Sequence, residues 1–329
     1  MTAEPAASPE CGPGQQASRR LLAPVRDRRG RFAPLKAATL AILVAPAAWL
    51  IARVWAEALG LPSPAAAILR WTGIWSTTFL LATLAVTPAR RILRWRGLVA
   101  VRRMLGIGAL AYSLAHMIAW FALLGWDWDA VLDEMLGRWL LVTGWTAVVG
   151  MLALAATSFD TAIARMGTLG WRRLHRAVYL VAILSVLHDL MARGRIAGTA
   201  PFTAAGLLLW LFGWRLLDRH RRGDAPLALA GLALAAAFVT GFVQAAWLWA
   251  DVGGRVPSLS EFLETLALDF DPAWAATIMT PPAVWQVLIV GCLAAEAAVL
   301  ARRWAPERVR GRRGGISPSA SPRSPARRR

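Results

Sequence analysis

Long apolar stretches alternate with short charged ones along this chain, and the alternation sets its architecture. Eight stretches, 37–58, 71–88, 104–125, 139–157, 174–191, 202–218, 226–250 and 282–301, approach or exceed the run of about 20 residues that crosses a bilayer as a helix. A soluble domain of this length carries shorter apolar segments, each with a polar face. The pattern predicts an all-α fold, a polytopic bundle of about eight transmembrane helices.

The segments between the spans alternate in charge. Residues 89–103 carry Arg90, Arg91, Arg94, Arg96, Arg102 and Arg103 and no acid, whereas 126–137 carry Asp127, Asp129, Asp133 and Glu134 and no base. Residues 158–173 are basic through Arg165, Arg172 and Arg173, and the DRHRRGD turn at 218–224 is mainly basic. The segment 251–281 holds five acids against the single Arg255. By the positive-inside rule both termini are cytoplasmic. The short segment 192–201, with Arg193 and Arg195, runs against the pattern. Trp126, Trp128 and Trp139 on one side, and Trp95 and Trp171 on the other, stand where interfacial anchors belong.

Composition narrows the reading further. The net charge of +18 might have indicated a phosphate backbone as partner, but most of the 37 basic residues sit beside apolar spans. That is a topology signal, so nucleic acid is not expected as a partner. The two cysteines, Cys11 and Cys292, form no CxxC and no zinc spacing. Residues 1–36, rich in Pro, Gly and Ser with seven basic residues, read as a disordered cytoplasmic arm. Residues 302–329, with ten Arg against Glu307, read as a disordered tail held near anionic membrane lipid.

Candidate chemistry comes from histidine. Of four, His116, His175 and His188 fall inside apolar stretches, and His220 lies in the DRHRRGD turn as a solvated loop residue. An ionisable residue at membrane depth is costly and marks a site, and neutral imidazole ligates haem iron while remaining tolerable in an apolar bundle. His116 follows Arg103 by 13 residues and His188 follows Arg173 by 15, so at 1.5 Å per residue the two differ in depth by about 3 Å. They are expected to be opposite axial ligands of one haem, towards the outer leaflet.

His175 lies two residues past Arg173, about 20 Å below His188 on the same helix. On an ideal helix the two point about 140° apart, so bending is needed for both to face one cavity. At that level the third span offers Arg102, Arg103 and Met104, so a haem at His175 needs a different second ligand. The alternative for any of the three is a hydrogen-bonded bundle residue. The pairs Arg102-Arg103 and Arg172-Arg173 are topology determinants first. A guanidinium also binds carboxylates bidentately, which makes the four candidates for haem propionate contacts.

Residues 71–91 (WTGIWSTTFLLATLAVTPARR), 102–116 (RRMLGIGALAYSLAH) and 169–193 (LGWRRLHRAVYLVAILSVLHDLMAR) together resemble the MsrQ (YedZ) haem-binding membrane subunits of the ferric-reductase-like transmembrane superfamily. The resemblance spans roughly residues 38–218. It implies a six-helix haem-binding domain at 37–218, leaving 219–301 as an additional two-helix membrane extension. It also implies a b-type haem carrier in the bacterial inner membrane, with the family's haem histidines falling on His116, His175 and His188. Electrons would come from quinol or a cytoplasmic flavin reductase and go to a periplasmic molybdopterin methionine-sulfoxide reductase, MsrP, that repairs oxidised proteins. FMN is associated with the family and falls on no residue in particular. The family implies no catalytic residue in this subunit.

Two other functions fit parts of the sequence. A stand-alone ferric or quinone reductase would use the same haem. No strand–GxGxxG–helix pattern is present for a nucleotide-binding domain of its own. A proton-coupled transporter would use the intramembrane histidines as relays, with Arg53, Gln244 and Glu296 as further polar steps. It would be expected to carry inverted repeats, of which the sequence gives no sign. The acidic segment 251–281, which includes Trp274, is expected to be a connection rather than a docking surface.

Overall fold

The computed structural model describes residues 25–26, 30–56, 63–193, 198–251, 258–271 and 282–303. Most of the arm expected at 1–36 and of the tail expected at 302–329 lies outside these residues, as does Trp274. Within them the regular structure is helical, apart from one isolated bridge between Arg26 and Phe32.

Helix α1 (Pro34–Trp55) carries Pro46 in its interior. A proline breaks the backbone ladder, and in a membrane the freed groups must find protein partners. Around that break the indole of Trp71 donates to the Pro46 carbonyl at 2.9 Å, and the Tyr112 hydroxyl donates to the Leu43 carbonyl at 2.8 Å. These bonds fasten α1 to α2 (Pro64–Ile92) and α3 (Arg102–Leu123).

Helix α2 starts at a Ser63 cap followed by Pro64 and runs through the centre of the bundle, with Phe79, Leu80 and Leu84 almost wholly enclosed. It is the one expected span that hydropathy alone does not mark as membrane-crossing; seven others are long and apolar enough. The reason is its hydroxyl-bearing buried face, Thr72, Ser76, Thr77 and Thr83. Thr72 and Thr83 bond carbonyls one turn back, at 2.6 and 2.8 Å, so the polar atoms cost little.

A 3-10 turn at Arg96–Val101 returns the chain into α3. The short helix α4 (Trp128–Gly137), capped by the Asp127 carboxylate, precedes α5 (Trp139–Ala156). Then come α6 (Asp160–His175), α7 (Val178–Arg193), α8 (Ala200–Arg219), α9 (Pro226–Asp251), α10 (Leu259–Phe270) and α11 (Ala283–Arg303). The segments that bear α4 and α10 form the acidic face of the bundle. The 3-10 turn, α6 and the α8–α9 turn lie towards the opposite, basic face.

Two sequence expectations change here. The apolar stretch 174–191 is not one helix: i→i+3 bonds from the Arg176 and Ala177 N–H groups to the Arg173 and Leu174 carbonyls close a turn between α6 and α7. His175 is therefore the last residue of the mostly exposed, amphipathic α6 and does not share a helix with His188. The segment 251–281 is more than a connection. A capping box between Ser258 and Glu261 starts α10, whose Leu266 is buried and whose Phe262 and Phe270 rest on Phe242 and Phe238 of α9.

Helices α9 and α11 pack on each other and on α8 through small residues, with Thr240 and Val287 filling the space beside Gly206 and Ala233 lying against Gly291. On the basic face Arg91 pairs with Asp218, while Arg94 and Arg302 reach Asp224 at 3.7 and 3.6 Å. Such partly exposed pairs contribute at most about 1 kcal/mol each. The half-buried Arg215 of α8 is fixed internally by the Leu211 and Leu84 carbonyls and the Tyr179 hydroxyl. That satisfies the cation and gives Arg215 a structural role.

Candidate functional site

Helices α2, α3, α5 and α7 surround a cavity of about 500 Å³ that reaches the acidic face beside α4. His116 projects from α3 and His188 from α7, their ring centres 6.2 Å apart and their planes at 90°. Nδ1 of His116 lies 2.8 Å from the Leu69 carbonyl, and Nδ1 of His188 lies 3.0 Å from the Leu140 carbonyl. A carbonyl only accepts, so each Nδ1 carries the proton and each Nε2 keeps its lone pair. A hydrogen bond of this kind is how proteins hold a ligating imidazole in the required tautomer and orientation.

The spacing fits a metal between the rings. Two bonds of about 2 Å, plus about 1 Å from each Nε2 to its ring centre, require centres about 6 Å apart. The pair therefore suits an iron with an imidazole on each side, and the cavity has the volume class of a cofactor site.

The two halves of this arrangement repeat one design. Leu69 and Gly73 on α2 support His116, and Leu140 and Gly144 on α5 support His188. Each glycine follows by four residues the leucine whose carbonyl accepts from the histidine, and the histidines follow their glycines by 43 and 44. A β-carbon on Gly73 would come 3.0 Å from the His116 ring, and one on Gly144 would come 2.9 Å from the His188 ring. Both glycines leave room for the Cε1–Nδ1 edge of each ring against the neighbouring helix. The hairpins α2–α3 and α5–α7 thus each supply one histidine in the same way.

The floor of the cavity is polar but uncharged. The Ser76 and Ser113 hydroxyls are 2.6 Å apart, both reach the Ala109 carbonyl, and Ser113 also lies 3.5 Å from the Met151 sulfur. Trp120 and Trp145, in edge contact, flank the site, and Asp189 lies buried beside it. At the acidic-face end the lining contains Arg70, and Arg138 paired with Glu134 at 3.1 Å. In the sequence these two arginines stand at the edges of apolar stretches, where charge is ordinary, so nothing there marks them as site residues.

The other candidate residues lie elsewhere. His175 stacks on Trp171 at 4.2 Å, and its Nε2 is 3.2 Å from the Thr157 hydroxyl. It does not line the cavity. Neither do Arg102, half-buried at the start of α3, nor Arg103, Arg172 and Arg173, exposed near the basic face. His220 is exposed at the end of α8. The three further residues of the transporter reading are dispersed. Arg53 lies over Trp49 on α1, Gln244 donates to Asp269, and Glu296 is exposed on α11.

Residues 72–186 match the family described as the ferric reductase like transmembrane component. Among curated proteins, the protein-methionine-sulfoxide reductase heme-binding subunit MsrQ of Azospira oryzae is 39% identical over 192 residues, covering 58% of this chain and 82% of that one. The protein of the same name from Rhodospirillum rubrum is 36% identical over 206 residues, 61% of this chain and 95% of that one. That of Polaromonas naphthalenivorans is 38% identical over 178 residues, with 53% and 80% covered. No solved structure matches. With most of each relative covered at this identity, and with the transmembrane family matched across both histidine-bearing hairpins as far as residue 186, the chain belongs to the MsrQ family.

Proposed function

We propose that this protein is a b-type haem electron-transfer subunit. It takes electrons from quinol or a flavin reductase and passes them across the bacterial inner membrane to a periplasmic molybdopterin enzyme of the MsrP type, which reduces methionine sulfoxide in oxidised proteins. The observation that carries the reading is the His116–His188 pair, with both Nδ1 atoms held by backbone carbonyls and the rings 6.2 Å apart. Membership of the MsrQ family supports it, since the relatives are named as heme-binding subunits of a methionine-sulfoxide reductase.

Bound haem supplies a one-electron carrier. The chain's own residues do the rest. His116 and His188 would hold the iron, and the Leu69 and Leu140 carbonyls fix their tautomer. The enclosing helices keep water from most of the cavity, with its mouth on the acidic face. The basic face is cytoplasmic by the positive-inside rule, which directs the mouth to the periplasm. Both ligands then lie towards the side on which the acceptor works.

The visible spectrum of the detergent-purified protein tests this. A sharp α band on reduction is expected, lost in both His116→Ala and His188→Ala. Perpendicular imidazoles further predict a strongly anisotropic low-spin ferric EPR signal. A purified protein without a Soret band overturns the reading.

A further inference from the structure

Resting on that haem assignment, we infer that Arg70 and Arg138 bind the two haem propionates, so that the carboxylate edge of the cofactor faces the acidic side and Glu134 is the group it displaces from Arg138. A haem has two axial positions and, on one edge, two carboxylates. The two hairpins match that pattern. The hairpin that fixes His116 through Leu69 presents Arg70 as the next residue, and the one that fixes His188 through Leu140 presents Arg138 two residues earlier. Both arginines line the cavity, and no other cation does among the described residues.

The opposite end offers the carboxylates no cation. Ser76 and Ser113 are bonded to each other and to the Ala109 carbonyl, and the lining there otherwise adds only apolar side chains and the uncharged hydroxyls of Thr77 and Ser185. Carboxylates are costly to bury without a charged or hydrogen-bonding partner, so the propionate edge goes where the guanidinium groups are. The four arginines nearer the basic face lie outside the cavity lining. Glu134, 3.1 Å from Arg138 on the short helix α4, occupies one of those guanidiniums before the cofactor arrives. Loading the cofactor exchanges one carboxylate for another at Arg138.

Four variants of the purified holoprotein test this: Arg70→Gln, Arg138→Gln, Arg138→Lys and Glu134→Gln, with Arg102→Gln as the basic-face control. Three quantities are read: the haem midpoint potential, the rate of haem transfer to apomyoglobin, and the propionate bending band in resonance Raman. Losing one charge-assisted contact speeds haem transfer by about tenfold. Each Arg→Gln variant is expected to do so, to lower the potential and to move the band. Glu134→Gln raises the potential and slows transfer. Arg138→Lys keeps the charge and the potential but still moves the band, which separates pairing from mere proximity of charge. A band and transfer rate unchanged in Arg70→Gln and Arg138→Gln, or moved instead by Arg102→Gln, overturns the inference while leaving the haem assignment standing. A wild-type protein without haem overturns the assignment itself.

Discussion

Histidine occurs at two levels of this bundle, and the levels use it differently. Near the acidic face His116 and His188 give Nδ1 to backbone carbonyls, with their rings 6.2 Å apart at the cavity. Near the basic face His175 lies against Trp171 and spends Nε2 on the Thr157 hydroxyl. All three sit in apolar sequence, so hydropathy does not distinguish them. What does is which ring nitrogen the protein has already engaged. A histidine whose Nδ1 is tied down is prepared to ligate, and one whose Nε2 is tied down must give up that bond first.

The comparison breaks most visibly at the glycines. Replacing Gly144 by Leu fills the space against the His188 ring, and most of the haem absorbance should be lost from the purified protein. Gly73→Ala is milder, because one methyl at 3.0 Å displaces the His116 ring without occupying the cavity. Disturbing a ligand's support costs about ten- to a hundredfold in affinity, and haem transfer to apomyoglobin measures it. If Gly73→Ala binds haem as tightly as wild type, the supports do not set the ligand geometry.

His175→Ala sharpens the contrast from the other side. The α band of the His116–His188 site should survive it with unchanged position. Its effect on the haem-to-protein ratio tells whether the basic-face level carries a second haem.

The smallest effect concerns a third polar pair, in the added helices. Gln244 donates to one oxygen of Asp269 at 3.3 Å, while the other carboxylate oxygen and the Gln244 carbonyl oxygen are buried without partners. Burial raises the Asp269 carboxyl from its usual value to about 6, and a proton there lets it donate to the amide in return. Because the folded-state value is raised, the stabilisation is complete below about pH 4 and is lost as pH rises through about 6. Hydrogen exchange of the α10 amides should quicken over that window, and Asp269→Asn should flatten the dependence.

Much of this was legible in the sequence, and the exceptions share a cause. Apolar run length gives the spans, and counting from the twin arginines selects His116 and His188, because a helix rises by a fixed amount per residue. The same count fails for His175, since i→i+3 bonds at Arg176 and Ala177 end one helix and start another inside a single apolar stretch. Hydropathy registers lipid against water and is blind to such a break. It is equally blind to side, which hid Arg70 and Arg138: only the packing of α2 and α5 decides that charges at span ends border a cavity. Helix α10 did leave a readable sign, the Ser258–Glu261 capping box, within a segment expected to be a connection rather than a docking surface.

The duplicated hairpin has a consequence for how the protein is made. Each hairpin is closely packed within itself, and the two meet each other much more sparingly. On the proposed ligand set each brings half, so the iron would act as a clasp between two units that enter the membrane one after the other. Neither unit can retain the cofactor alone. Maturation therefore waits for the second hairpin and then depends on haem supply, and a cell short of haem should accumulate loosely joined halves exposed to proteolysis.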